Sequence, residues 1–255
     1  MRSPIPVADS HGHIGTHPDF PAHCSEPADI VAVMDLLNIE KLAITSTLAC
    51  YNDCPRGNAD VAEVLSRYLE RFWGYITVNP NPPGQGIAEL EKWVRFHTPP
   101  LIKFHPSLHK YPVHGKHYRP LWDYANQTGA AILVHTWDSD PNCGPLLFPP
   151  IAREFPNARI LLGHSGVTWR GYMQAMEAAE AAPNLFLELA GSQHHRLILE
   201  RAVERVGAER IVFGSDLPFL EAAMTLAHVL TARISDHAKE CILRTNFLRL
   251  VNGMP

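Results

Sequence analysis

Short apolar runs separated by segments of helical spacing predict an α/β chain closed into a (β/α)8 TIM barrel. Three observations carry this reading. The runs are apolar almost throughout, as strands buried on both faces of a parallel sheet are, instead of alternating apolar with polar. Eight such units in 255 residues fit the size of a closed barrel. A doubly wound open sheet would carry a G-x-G-x-x-G turn after its first strand, whereas this chain reads His11-Gly12-His13-Ile14-Gly15-Thr16-His17 there.

In order, strands are expected at Val7 to Ile14, Lys41 to Thr47, Phe72 to Val78, Leu101 to His105, Ala131 to His135, Arg159 to His164, Leu185 to Leu189 and Arg210 to Phe213. Between them, Ile30, Val33, Met34 and Leu37 recur at helical spacing, as do Val61, Val64, Leu65 and Tyr68, and later Leu197, Ile198, Arg201, Ala202 and Val206. Prolines at Pro80 to Pro83, Pro99-Pro100 and Pro149-Pro150 punctuate loops. Beyond the last strand, Leu220 to Ile234 and Ser235 to Val251 supply further helical segments that close and cap the ring. No boundary splits the chain, so residues 1–255 are expected to form one domain.

A hydrophobic fraction of 46% is ample for a large core. The formal charge of -4, with both signs interspersed, gives no reason to expect nucleic acid as a partner. Apolar stretches fall short of a membrane span, and Met1-Arg2-Ser3-Pro4-Ile5-Pro6 lacks the apolar core of a signal peptide, so no membrane partner and a cytoplasmic location are expected. Cys24, Cys50, Cys54, Cys143 and Cys241 make an odd set without a compact framework and read as free thiols. Cys50 and Cys54 could begin a second, structural metal site only with a further close pair of soft ligands.

The chemistry gathers at strand ends. His11 and His13 lie two apart on a strand and so point to the same side, where two imidazoles can meet one divalent metal. His135, His164 and Asp216 each stand where a short apolar run gives way to polar or glycine residues: Ala131-Ile-Leu-Val-His135, Ile160-Leu-Leu-Gly-His164 and Ile211-Val-Phe-Gly-Ser-Asp216. In a barrel all these ends form one face, which also receives Lys103 and His105. Tyr51, Asn52 and Trp137 follow the second and fifth strands and are candidates to line a substrate pocket. Alternative readings stand beside these. Asp216 could cap the following segment, His105 could be a hydrogen-bonded polar residue, and Lys103 could anchor a substrate carboxylate or pair with Glu188. His17, His23, His109, His114 and His117 read as solvated loop residues, and His194-His195 as the start of a helix after Gly191-Ser192.

The motifs Asp9-Ser10-His11-Gly12-His13, Ile102-Lys103-Phe104-His105-Pro106, Val134-His135, Gly163-His164-Ser165-Gly166 and Phe213-Gly214-Ser215-Asp216-Leu217-Pro218 together resemble the amidohydrolase superfamily. Within it the chain is similar to the amidohydrolase-related (amidohydrolase 2) branch that includes aminocarboxymuconate semialdehyde decarboxylase-like enzymes. The resemblance implies one divalent metal, with zinc the default, held by His11, His13, His135 and Asp216, and His164 as a catalytic histidine. Lys103 occupies the place where other branches put a carboxylated lysine that bridges a second ion. The implied reaction is hydrolysis of a small amide, lactone or ester, with Asp216 orienting a metal-activated water and accepting its proton. The alternative is non-oxidative decarboxylation of an aromatic or unsaturated acid on the same ligands. A small-molecule substrate and a homodimer are the expected partners.

Overall fold

A computed structural model describes residues 2–20, 25–51, 53–94, 100–191 and 194–253. Eight strands pair in sequence order, all parallel: β1 (Val7–Ile14), β2 (Ile39–Ser46), β3 (Phe72–Thr77), β4 (Leu101–Phe104), β5 (Ala131–His135), β6 (Arg159–Gly163), β7 (Leu185–Glu188) and β8 (Ile211–Val212). The ring closes where the Ser10 N–H donates to the Phe213 carbonyl at 3.0 Å and the Asp216 N–H donates to the His11 carbonyl at 2.8 Å. Around it run α1 (Pro27–Leu37), α2 (Thr47–Tyr51), α3 (Cys54–Tyr68), α4 (Gln85–Trp93), α5 (Pro106–His109), α6 (Arg119–Thr128), α7 (Phe148–Glu154), α8 (Trp169–Ala181), α9 (Ile198–Val206), α10 (Ala222–Thr231), α11 (Asp236–Glu240) and α12 (Asn246–Val251). Cys241–Thr245 forms a π-helical turn between the last two.

Strand periodicity sorts the side chains into two cores. Leu42 and Ile44, Ile102 and Phe104, Ile132 and Val134, and Ile160 and Leu162 point outward and join the helices in the larger core. Alternate residues Ala8, Ala43, Tyr75, Leu101, Ala131, Leu133, Leu161 and Val212 fill the barrel interior, stoppered by Phe247, Leu250 and Val251 of α12. Continuing each inward row by two residues puts Lys103 beyond Leu101 and His135 beyond Leu133, at the opposite mouth.

One irregularity decides the site. Pairing runs Asp9 to Leu42 and then Gly12 to Ile44, so β1 spends three residues where β2 spends two. This bulge reverses the alternation, letting Ala8 face the interior core and His11 and His13 face the same interior further on. The Tyr75 hydroxyl donates to the Ser10 carbonyl at 2.8 Å, satisfying a backbone oxygen beside the bulge.

Several expectations shift. His105 and His164 lie just beyond their strands: His105 accepts the Leu108 N–H through Nδ1 as the cap of α5, and His164 opens a helical turn. His194-His195 does not begin a helix, because Leu197 takes a left-handed φ of 63° and α9 starts at Ile198. Cys50, Cys54, Cys143 and Cys241 are free and buried. Asn52, His23, Cys24, Pro99 and Ser192 lie outside the described residues. No helix among the described residues is long and apolar enough to cross a membrane.

Candidate metal centre

The nine side chains singled out from sequence, His11, His13, Tyr51, Lys103, His105, His135, Trp137, His164 and Asp216, line one cavity of about 450 Å³ at the C-terminal mouth of the barrel. A larger recess of about 690 Å³ lies beside it over α3, but Arg56, Glu63 and Arg67 on its wall are exposed, so chemistry selects the smaller cavity.

Asp216 is the anionic centre. Its Oδ1 lies 3.0 Å from His13 Nε2 and 3.6 Å from His11 Nε2. Burial alone would raise its pKa, but His11, the hydrogen bond from His13, and His164 together hold it well below the usual carboxylate range. Its side chain is thus committed to the histidines and does not cap the next segment; only its carbonyl receives the Phe219 N–H.

His13 donates Nε2–H to this carboxylate, while His11 and His164 tie their Nδ1–H groups to other oxygens. His11 donates Nδ1–H to Glu188 Oε2 at 3.1 Å, and His164 donates Nδ1–H to the Ala190 carbonyl at 3.2 Å. Both carry the pattern of metal-ligating histidines, whose outer ring nitrogen is tied to an oxygen while the inner one keeps a lone pair. Burial pushes His11, His135 and His105 well below the ordinary imidazole value and lowers His13 too, which favours the neutral form a metal requires. Among the described residues, His11, His164 and Asp216 form the group of three donors within 4.8 Å of one another. His13 joins through Asp216 and keeps a buried Nδ1 without a partner, while the His135 ring packs 4.8 Å from that of His164. This donor set fits a divalent cation.

Lys103 is fully buried, and its Nζ donates to His11 Nε2 at 2.9 Å. The ring of His11 therefore stands between it and Glu188, replacing the direct pair considered from sequence. Burial lowers the lysine's pKa, opposed by Cys50, Asp216 and Glu188. On one wall, His105 stacks on His135 at 4.1 Å, with Trp137 beyond. On the other, the His17 ring packs against Phe20, Tyr51 and Phe219 at 4.8 to 5.4 Å, and His17 Nε2 meets the Tyr51 hydroxyl at 3.2 Å. His17 and His109 thus leave the solvated set: the loop after β1 folds over the mouth, and α5 tucks His109 against α2.

Sequence reasoning gave Asp9 no role and named Glu188 only as a partner for Lys103. Asp9 accepts the N–H groups of His11 and Ser215 on Oδ1, across the seam between β1 and β8, and burial pushes its pKa up to about 8. Glu188 bonds two elements of the centre at once. It carries the signal that flagged His135, a polar residue closing an apolar run, Leu185-Phe186-Leu187-Glu188.

The profile of the amidohydrolase family matches residues 8–252. Among curated proteins, an uncharacterized protein, y4mH, of Sinorhizobium fredii (strain NBRC 101917 / NGR234) is 29% identical over 86 residues; the match takes in 28% of this chain and 29% of that protein's length. Among solved structures, the uncharacterized TIM-barrel protein Bb4693 of Bordetella bronchiseptica superposes with a TM-score of 0.81 at 18% identity, covering 98% of this chain and 100% of that one. A 2,6-dihydroxybenzoate decarboxylase from Rhizobium gives 0.76 at 16% identity, over 98% and 99% of the two chains. A dihydroxybenzoic acid decarboxylase from Polaromonas sp. JS666, with bound manganese and the inhibitor 2-nitroresorcinol, gives 0.73 at 16%, over 98% and 97%.

Proposed function

Because this chain belongs to the amidohydrolase family, we propose that it is a metal-dependent decarboxylase that releases carbon dioxide from a small aromatic or unsaturated carboxylic acid without an oxidant. The observation that carries this reading is Lys103, a buried amine at the floor of a cavity with ring-lined walls. A planar acid can lie between the His105, His135 and Trp137 side and the His17, Phe20 and Phe219 side with its carboxylate toward that amine. Two of the similar structures are decarboxylases of dihydroxybenzoic acids, which supports decarboxylation over the hydrolysis expected first from sequence.

Asp216, His11 and His164 would anchor the ion, with His13 and His135 completing the set. When bound, a divalent ion supplies a Lewis acid for substrate oxygens and offsets developing negative charge. The carbon–carboxyl bond breaks, carbon dioxide departs, and the electron pair left on carbon takes a proton, so no electrons are gained or lost. That proton comes from solvent, and Asp216, held ionised, would take it up and hand it on only transiently at the reacting carbon. With an acid bound, the rings of Trp137, Phe20 and Phe219 at the mouth would limit the access of water to the carbanion.

The test uses the purified chain loaded with manganese or with zinc and offered hydroxybenzoates, unsaturated acids, lactones and amides in deuterium oxide. Release of carbon dioxide with one deuterium at the vacated carbon is expected. Turnover of a lactone or amide, with no carbon dioxide from any acid, would sink the reading in favour of hydrolysis.

A further inference from the structure

We infer that Glu188 is the positioning residue of this centre: its carboxylate selects the tautomer of His11 and pins the backbone of His164, so that both imidazoles present lone pairs to one ion. The inference rests on the metal centre and not on which reaction the metal serves.

Glu188 is fully buried on the inward row at the end of β7. Three donors converge on it. Its Oε2 accepts His11 Nδ1–H at 3.1 Å and the His164 backbone N–H at 2.8 Å, while its Oε1 accepts the Ala190 N–H at 2.7 Å. Two are backbone amides that can only donate, so the group facing them must be an acceptor on both oxygens. The third is an imidazole that could place its proton on either nitrogen. An acceptor at Oε2 draws that proton to Nδ1 and leaves a lone pair on Nε2, which lies 3.6 Å from Asp216 Oδ1 and is met by Lys103 Nζ at 2.9 Å.

The fold is built around this carboxylate. A Cβ at Gly214 of the neighbouring chain segment would stand 1.7 Å from Glu188 Oε1 and 3.0 Å from the Cβ of His11, so only glycine admits both side chains. His164 and Ser165 hold φ values of 61° and 44°, a left-handed conformation that is unfavourable for non-glycine residues unless the surroundings hold it. Glu188 supplies that hold twice, through Oε2 to the His164 N–H and through its own carbonyl, which accepts the Ser165 hydroxyl at 2.8 Å. One side chain thereby joins His11 from β1 to His164 beyond β6, residues that chain connectivity leaves independent.

Two variants and two readouts test the role. Glu188→Met removes every acceptor; Glu188→Gln keeps one, which can serve His11 and His164, but loses the charge that makes it strong. Manganese and zinc affinities, measured by competition with a chelating dye, should weaken about 10-fold in the glutamine variant and about 100-fold in the methionine variant. In the metal-stripped protein, histidine nitrogen NMR should report Nδ1–H for His11, identified by its loss in a His11→Ala variant, and Nε2–H should gain population when Glu188→Met is combined with Lys103→Met, which removes the Nζ donor to Nε2, but not in Lys103→Met alone. Wild-type metal affinity in a folded methionine variant would overturn the inference. If the methionine variant does not fold, wild-type affinity in the glutamine variant overturns it instead. Failure of the decarboxylase reading looks different: metal affinity would still follow Glu188 while no acid released carbon dioxide.

Discussion

Replacing His109 by leucine should abolish a defined part of the protein's sensitivity to mild acid. His109 is 6% exposed at the end of α5, and burial pushes its pKa from 6.5 down to about 4. The unfolded chain takes up a proton at this ring near 6.5 and the folded chain does not until about 4, so unfolding consumes a proton throughout that window. The stability concerned is fully present above 6.5 and is lost as pH falls through about 4. Across those 2.5 pH units, at about 1.4 kcal/mol each, the loss is about 3 kcal/mol. In a domain of this size that corresponds to roughly 6 to 12 °C in Tm. Leucine fills similar space and cannot titrate. Thermal unfolding of both proteins in chelator, from about pH 7.5 to about pH 4, should show wild type falling away from the variant by that amount. Parallel curves would refute the reasoning. Because α5 packs on α2, which carries Tyr51, the same titration should loosen one wall of the cavity.

Asp216→Asn keeps an acceptor for His13 but not the charge, and should cost at least about 100-fold in kcat with little change in the Tm of the metal-free protein; near-normal turnover would remove Asp216 from the chemistry. Asp9→Asn retains an oxygen for the His11 and Ser215 N–H groups. Because the folded pKa of Asp9 is raised to about 8, wild type holds a proton that its unfolded chain has released, so its stability in chelator should decline as pH rises through about 8 while the variant's stays level. Urea midpoints that shift together would contradict that assignment. Gly171→Ala puts a Cβ 1.9 Å from the Gly166 carbonyl oxygen, which should displace the turn after His164 and destabilise the fold by roughly 1 to 3 kcal/mol; an unchanged denaturation curve would show that α8 yields freely.

The repeating strand and helix pattern, the parallel sheet and the inward His11, His13, Lys103 and His135 could be read from sequence because each depends on local periodicity, and Tyr51, His105, Trp137, His164 and Asp216 because each follows closely on a strand's end. An apolar run that ends in histidine or aspartate announces a strand whose last inward residue is polar, whatever surrounds it. His17 and Glu188 show where that logic stops. His17 sits in a loop whose course is set by the aromatic residues it meets, Phe219 among them, and Glu188 closes its strand as His135 does, yet its partners arrive from β1 and from beyond β6.

The tertiary structure alone decided which way the first two histidines face and which nitrogens they offer. The bulge in β1 appears only when Asp9 pairs with Leu42 and Gly12 with Ile44, and the tautomer of His11 is selected by a carboxylate 177 positions away. Periodicity along one strand carries no information on register with another, nor on where a proton rests between two nitrogens. Those are settled when the ring closes and every buried donor must find an acceptor.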